Sequence, residues 1–143
     1  ETDVIDQLID QVPPNFLDHD SRGILSIACE TPQPWTRDVV QRLLQAGADV
    51  DLPTYGYNPL QYVLAWPEFD ISIASMLLYS SKLGINHQFK HGWTYLYWCE
   101  TVEAAQFLID NGIDINIPDH KGETFPQCLK HSFPQSDINK LFP

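Results

Sequence analysis

The sequence has 143 residues, of which 43% are hydrophobic and 12% aromatic, and its formal net charge is −11. This length fits one domain or a short stack of repeats, and the hydrophobic content excludes a mainly disordered chain. No apolar run reaches the roughly 18 to 20 residues that a membrane helix needs, so the sequence predicts no membrane span.

The amino end predicts a short amphipathic helix over residues 3–10. Four apolar residues form one stripe between acidic residues, and two consecutive prolines at positions 13 and 14 end the helix. The stripe consists of Val4, Ile5, Leu8 and Ile9. We therefore expect residues 1–17 to form an amino-terminal cap or a partial repeat.

Three similar segments further along the chain predict helix ends. In each segment a glycine follows the last apolar turn of a helix, where a left-handed residue stops it, and a short alternating tail comes next. These glycines are Gly47, Gly84 and Gly112, spaced 37 and 28 residues apart. The spacing indicates an internal repeat.

A second recurring pattern predicts helix starts. A turn glycine precedes an Asn or Thr that can cap a helix, and one copy also has proline at the first helical position. The copies are Gly56-Tyr57-Asn58-Pro59, Gly92-Trp93-Thr94 and Gly122-Glu123-Thr124, with a degenerate copy over residues 21–28. A short apolar helix follows, from Leu60 to Ala65 in one copy and from Tyr95 to Cys99 in the next. The predicted unit is a turn, a short helix and a longer helix.

At these residues the chain resembles the ankyrin-repeat family, whose unit is a β-turn and two helices. Asn58-Pro59-Leu60-Gln61 and Thr94-Tyr95-Leu96-Tyr97 stand where the family has Thr-Pro-Leu-His, and residues 39–51 resemble its second helix and exit loop. The resemblance implies an all-α solenoid of helix-turn-helix units with β-turn tips. We expect one domain in which repeats 18–52, 53–88 and 89–117 follow the cap, and a carboxyl-terminal capping repeat, 118–143, ends in a polar helix from Ser136 to Leu141.

The reactive side chains do not form a catalytic or metal-binding pattern. Cys99 is expected on the inner side of a short helix as a core thiol, and the same holds for Cys29 and Cys128. The cysteines and histidines lack the paired ligand spacing of a zinc site, and no phosphate loop or catalytic motif occurs. We therefore expect no enzyme, no metal and no cofactor. An enzyme remains the alternative if Cys99 or a histidine is exposed and reactive.

The predicted turn tips are unusually aromatic. Turns ordinarily prefer polar residues, so exposed Tyr and Trp there suggest a binding surface. In an ankyrin-like stack the tips and the exposed parts of the short helices line one concave face, whereas we expect Tyr95, Tyr97 and Trp98 to be packed. The predicted partner-binding residues are Tyr55, Tyr57, Trp66, Lys90, His91, Trp93, Lys121 and Glu123.

The net charge of the sequence limits the class of partner that we expect. Residues 1–70 carry 12 acidic and 3 basic side chains, a net charge of −9. This disfavours direct binding to nucleic acid and favours either a basic protein partner or a solvated acidic surface. We expect a non-catalytic protein-interaction module that binds and inhibits or neutralises its partner, as an immunity protein or antitoxin does.

Two alternatives to an inhibitor remain open. The chain begins at Glu1 and not at methionine, so it can be a domain of a larger scaffold or adaptor. Acids in one continuous track would instead make it a nucleic-acid mimic. Three scattered cysteines predict a reducing compartment, such as the cytoplasm, and we expect a monomer when the chain is free.

Overall fold

Helices form the secondary structure throughout the described part of the chain. The structure, a computed structural model, describes residue 7, residues 9–128 and residues 133–141, and over these residues it contains helices and two isolated β-bridges but no strand. The helices are α1 (Ile24–Glu30), α2 (Thr36–Gln45), α3 (Pro59–Leu64), α4 (Ile71–Ser80), α5 (Val102–Asp110), α6 (Phe125–Cys128) and α7 (Gln135–Leu141). The expectation of an all-helical chain is confirmed for these residues.

The helices pack in two layers. The short helices α1 and α3 contact each other, and α3 also contacts a 3-10 turn at Tyr95–Trp98. The longer helices α2 and α4 pack side by side, and each also contacts the short helix that precedes it. Helix α5 contacts the turn at Tyr95–Trp98 and helix α7. Each layer thus covers the apolar side of the other.

The core lies between these layers and consists mainly of aliphatic residues and alanines, together with a few aromatic residues and two cysteines. Helix α2 buries Val39, Val40 and Leu43, which share one side of the helix, while its charged residues face outward. Burial of each such aliphatic side chain contributes about 1.5–3 kcal/mol of transfer free energy. Alanines that are fully buried, at positions 74, 104 and 105, let neighbouring helices approach closely. The core therefore runs along the chain through successive helix pairs.

Helix α3 begins as the sequence predicts. The Asn58 side chain accepts a hydrogen bond from the Gln61 backbone N–H at 3.0 Å, and the Gln61 side chain accepts one from the Asn58 N–H at 2.7 Å. Pro59 occupies the first helical position, where no N–H is needed. This reciprocal capping satisfies backbone donors that the first helical turn leaves free.

Two of the three predicted glycine stops are confirmed and one is wrong. Gly47 and Gly112 follow α2 and α5 with φ values of 92° and 87°. Helix α4 instead ends at Ser80, and Gly84 does not have positive φ. The reason lies earlier in the chain, because the Asp51 carboxylate accepts hydrogen bonds from the Ser81 hydroxyl and from the Lys82 N–H. These bonds draw the chain into an extended conformation before it reaches the glycine.

The third short helix also differs from its prediction. Residues Tyr95–Trp98 form a 3-10 turn, and the Thr94 side chain does not cap it. Cys99 is already extended, and the Glu100 N–H donates to the Leu64 carbonyl oxygen at 3.2 Å. Thr101 then caps α5 by accepting from the Ala104 N–H. The hydrogen bond to Leu64 and the cap at Thr101 therefore hold Cys99 and Thr101 in an extended conformation, and the helical segment ends at Trp98.

The two ends of the chain are described in part. Residues 7 and 9–11 are helical, and Ile9 packs against the core, while the predicted stripe residues Val4, Ile5 and Leu8 lie outside the described residues. Helix α7 confirms the predicted polar last helix to within one residue and buries Leu141. None of the helices in the described ranges has the length and apolar character needed to cross a membrane.

Candidate functional site: the turn-tip face

Four tight turns precede the short helical segments, and a backbone hydrogen bond closes each of them. We number them tip 1 (18–22), tip 2 (54–57), tip 3 (89–93) and tip 4 (119–123). The closing N–H to carbonyl distances are 3.0 Å in tip 1 and 2.8 Å in each of the other three. A closed turn therefore recurs four times along the chain, and tip 2 is one residue shorter than the other three.

In each of the first and fourth tips, one carboxylate accepts two backbone hydrogen bonds from its own turn. We call this arrangement a carboxylate clasp. Oδ1 of Asp18 accepts hydrogen bonds from the N–H groups of Asp20 and Arg22 at 2.9 and 2.8 Å. Oδ1 of Asp119 accepts from Lys121 and Glu123 at 2.8 and 3.0 Å. The backbone hydrogen bond from Arg22 lowers the pKa of Asp18 below its ordinary value. Burial raises the pKa of Asp119, but its backbone hydrogen bonds and nearby cations outweigh burial and lower it. Both clasps are thus ionised at neutral pH.

Hydrogen bonds between neighbouring tips hold them side by side. Tip 1 meets tip 2 where the Gly23 N–H donates to the Thr54 hydroxyl oxygen at 3.1 Å. Tip 3 meets tip 4 where the His120 N–H donates to the His91 carbonyl oxygen at 2.9 Å. At this second junction the backbone approach requires glycine: Gly92 has φ +77°, and a Cβ added to it would lie 2.6 Å from His120 Cδ2.

Ring contacts join tip 2 to tip 3. The centroid of Tyr57 lies 6.3 Å from that of Trp98, Trp98 lies 5.8 Å from Trp93, and Trp93 stacks on Tyr97 at 5.4 Å with the rings parallel to within 1°. These separations are those of favourable aromatic pairs. We call Tyr57, Trp98, Trp93 and Tyr97 the aromatic row. Tyr62 and Phe125 extend it by edge contacts at either end.

Several rings at the tips remain accessible to a partner. Tyr55 is 65% exposed, Tyr57 43% and Trp93 36%, while Tyr97 and Trp98 are half-buried. Lys90, His91, His120, Lys121 and Glu123 are exposed beside them. We refer to these ten side chains as the turn-tip face. It contains seven of the eight predicted binding residues.

Trp66 is the one predicted binding residue that does not belong to the turn-tip face. Its buried position corrects the prediction that it joins the binding surface. Its side chain is only 4% exposed, and its indole N–H donates to the Cys29 carbonyl oxygen at 2.9 Å across the neighbouring helix pair. Buried tryptophan N–H groups need such an acceptor. Trp66 is therefore a core residue that joins two units.

A cleft of about 490 Å³ lies between tips 3 and 4. Its aromatic wall is formed by Trp93 and Tyr97, and the Tyr97 hydroxyl donates to the Glu123 carbonyl oxygen at 3.3 Å. The remaining lining residues are His91, Asp119, His120, Lys121 and Glu123. Cationic and anionic groups meet in this cleft, so its chemistry suits a mixed polar and aromatic contact.

The sequence prediction omitted three residues of this face. Tyr97 and Trp98 were expected to be packed, and they do pack in the aromatic row while keeping part of their surface exposed. His120 was not among the predicted contacts. Aligning tip 4 with tip 3 would have indicated it, because His120 in Asp-His-Lys-Gly occupies the place of Lys90 in Phe-Lys-His-Gly.

The cysteines that the structure describes with their side chains are core residues. Cys29 is fully buried and Cys99 is 7% exposed, and both are free thiols. Burial raises the pKa of Cys29 to about 12 and raises that of Cys99 as well, aided by Glu100. Neither thiol is ionised near neutral pH, so neither is poised as a nucleophile. The side chain of Cys128 lies outside the described part.

Metal ligands are not grouped in the part of the chain that the structure describes. No three His, Cys, Asp or Glu side chains there are arranged so that they could hold an ion. The histidine of tip 3 instead lies beside an aromatic ring, with the His91 and Trp93 centroids 5.3 Å apart.

The fold and the tips define an all-helical protein in which a turn, a short helical segment and a longer helix recur. No family model matches the chain. Over 55 residues it is 47% identical to an ankyrin repeat protein of Acanthamoeba polyphaga mimivirus, a match that covers 33% of this chain and 9% of the relative. The similarity supports ankyrin-like repeats here, and such repeats suggest a protein-interaction module.

Proposed function

We propose that the chain is an ankyrin-like solenoid and a non-catalytic module that binds a protein partner through the turn-tip face. Its units are residues 18–52, 53–88 and 89–117, with residues 1–17 as an amino-terminal cap and residues 118–143 as the capping repeat. Recurrence of the closed tip at positions 18, 54, 89 and 119 supports these boundaries.

The observation that carries the proposal is the exposed aromatic row. Turn tips usually present small polar side chains, but here Tyr55, Tyr57 and Trp93 stand out into solvent. Tyr and Trp bury a large area at small cost in rotamer entropy, which is why they dominate the binding energy of protein interfaces. A surface of this kind contributes most binding energy when a partner covers it.

Backbone strain at the tips supports the same surface. Tyr55 and His91 have φ values of 53° and 65°, which costs a side chain with Cβ about 1–2 kcal/mol each. Strain of this kind tends to persist where it positions a functional side chain. Ser21 in tip 1 also has a positive φ, of 60°, while Tyr55 and His91 lie in the two central tips, beside the aromatic row.

The charge of the chain supports the proposal that the partner is basic. Three arginines cannot neutralise the 12 acids of residues 1–70, and Arg22 and Arg37 already pair with Asp18 and Asp70 at 2.9 and 3.2 Å. Burial raises the pKa of Tyr62, and nearby Glu30 raises it further. The net negative charge of residues 1–70 and the exposed rings both favour cationic side chains on the partner. Covering a basic enzyme in this way would make the chain an inhibitor, as an immunity protein is.

Affinity capture tests the proposal. The chain and a Tyr57→Ala/Trp93→Ala variant serve as baits in the same native lysate, and a Tyr79→Ala variant is the control because Tyr79 is 75% exposed on α4, away from the tips. We expect one protein to bind the chain and the control but to bind the double variant at least about 10-fold more weakly, as for loss of interface hot spots.

The same experiment separates binding from inhibition. The captured partner is purified, its activity is measured with and without the chain, and binding is repeated at high salt, which weakens steering between opposite charges. Equal capture by the wild-type chain and the double variant would refute the turn-tip face as the binding surface. Unchanged partner activity would refute inhibition alone.

A further inference from the structure

A second concave surface lies between the loops that join the short and long helices. It is a groove of about 750 Å³ between residues 32–38 and residues 66–73. None of the turn-tip face lines it. Its first wall includes Pro32, Gln33 and Pro34 of the sequence insertion at residues 31–35, which the turn-tip face does not use.

The groove is held in shape before any partner arrives. On one wall the Gln33 N–H donates to the Thr36 hydroxyl oxygen, and the Thr36 N–H donates back to the Gln33 carbonyl oxygen, both at 3.0 Å. On the other wall Asp70 caps α4 at the Ile73 N–H and also pairs with Arg37. Prolines at positions 32, 34 and 67 further restrict both loops. A preformed groove loses little entropy on binding.

Its charge is negative and only partly compensated. Arg37 is the one basic side chain in the lining, and it is balanced by Asp70 at 3.2 Å. Asp38 and Glu68 are exposed on opposite walls, and neither carboxylate makes a hydrogen bond or an ion pair with another described residue. The groove is therefore lined by three carboxylates and by one cation, which already pairs with Asp70.

Apolar residues also line the groove, and one of them carries an aromatic ring. Phe69 is half-buried, with its ring centroid 5.5 Å from that of Phe107, and Ile73 is buried. A planar guanidinium group can stack on such a ring and donate to a carboxylate at its edge, and its alkyl stem can cover apolar surface. An anionic side chain would meet both uncompensated carboxylates.

We infer that this groove binds an arginine side chain of a basic protein segment, with Asp38 and Glu68 as its ion-pair partners and Phe69 as its stacking surface. The site goes beyond the turn-tip face and does not depend on it. Through this site the acidic amino-terminal half of the chain makes a defined contact with a basic protein, in addition to attracting it over a longer distance.

Titration by nuclear magnetic resonance with a peptide tests the inference on the whole chain. The probe is a terminally blocked nonapeptide with three arginines spaced by glycine and serine, and its matched control carries citrulline, which keeps the shape and removes the charge. We expect the arginine peptide to shift backbone amide signals of residues 33–38 and 67–70, and the citrulline peptide to bind about 3- to 10-fold more weakly.

Two variants with equal net charge locate the contact. Asp38→Asn/Glu68→Gln removes the groove carboxylates, while Asp10→Asn/Glu100→Gln removes two exposed acids outside the groove. The first should weaken the arginine peptide about 3- to 10-fold, and the second should change it less than about 2-fold. Their amide spectra show that both variants are folded.

Three results would overturn the inference: equal binding of the two peptides, equal effects of the two variants, or signal shifts confined to the turn tips. Each is independent of partner capture by Tyr57 and Trp93. The proposed function can therefore stand if the groove fails, and the groove can stand if the capture experiment fails.

Discussion

Replacement of Gly92 by alanine tests how closely tips 3 and 4 approach each other. The new Cβ would lie 2.6 Å from His120 Cδ2 and 2.8 Å from the His120 nitrogen, and the backbone at φ +77° is already unfavourable for alanine. The left-handed conformation costs about 1–2 kcal/mol. Separation of the tips also removes the hydrogen bond between the His120 N–H and the His91 carbonyl oxygen, which contributes about 0.5–1.5 kcal/mol. We expect Gly92→Ala to lower the free energy of unfolding by about 2–3 kcal/mol.

Gly122→Ala is the matched control for this measurement. Gly122 occupies the same place in tip 4 and has φ +83°, but nothing lies within 4 Å of its Cβ position. Its replacement should cost the conformational part alone, about 1–2 kcal/mol. Urea denaturation followed by circular dichroism gives both values. Equal losses for the two variants would show that tips 3 and 4 are not in close contact, and the reasoning would be refuted.

Three other measurements test the core and the assignment of surface residues. Asn58→Ala removes the cap of α3 and the donor to the Tyr95 hydroxyl. It should lower the free energy of unfolding by about 1–3 kcal/mol in urea denaturation. A loss no larger than that of a simple surface substitution would contradict the reciprocal capping. Thiol labelling of Cys29 and Cys99, with the third cysteine replaced by serine, should stay slow up to pH 9 and become fast in urea, because burial raises both pKa values; fast labelling of the native protein would show an exposed thiol. Trp66→Phe should cost about 0.5–1.5 kcal/mol through loss of the bond to the Cys29 carbonyl, yet leave partner capture unchanged, and reduced capture would return Trp66 to the binding surface.

Local sequence signals predicted those features of the fold that depend on local interactions. Asn58 and Pro59 set the start of α3 through contacts within four residues, and Gly47 and Gly112 end their helices by their own backbone freedom. Gly84 carries the same local signal, but the Asp51 carboxylate, about one repeat earlier in the chain, acts on Ser81 and Lys82 first. A tertiary contact of this kind leaves no trace within the helix that it terminates.

In the candidate site, too, local sequence signals predicted some features and tertiary contacts decided the others. The rings at the tips could be predicted because Tyr and Trp are unusual beside a turn glycine, as at Tyr57 and Trp93. Trp66 could not be separated from them, because an acceptor for its indole, the Cys29 carbonyl, lies 37 residues away. The contact between Tyr57 and Trp98 likewise needs two units to be placed side by side. Predicting the site beyond its residue types therefore requires the packing of the units.

The carboxylate clasps lie in the outer tips 1 and 4, whereas the central tips 2 and 3 carry the exposed rings. The ends of a stacked protein open first, because they have a neighbour on one side only. Asp18 and Asp119 fix the outer turns from within, so these turns keep their shape during such opening. Tips 2 and 3 have neighbours on both sides and have no internal clasp of this kind. Tyr57 and Trp93 occupy positions in these two turns. The clasped outer turns thus resist fraying, while Tyr55, Tyr57 and Trp93, the exposed rings, lie on the turns without a clasp.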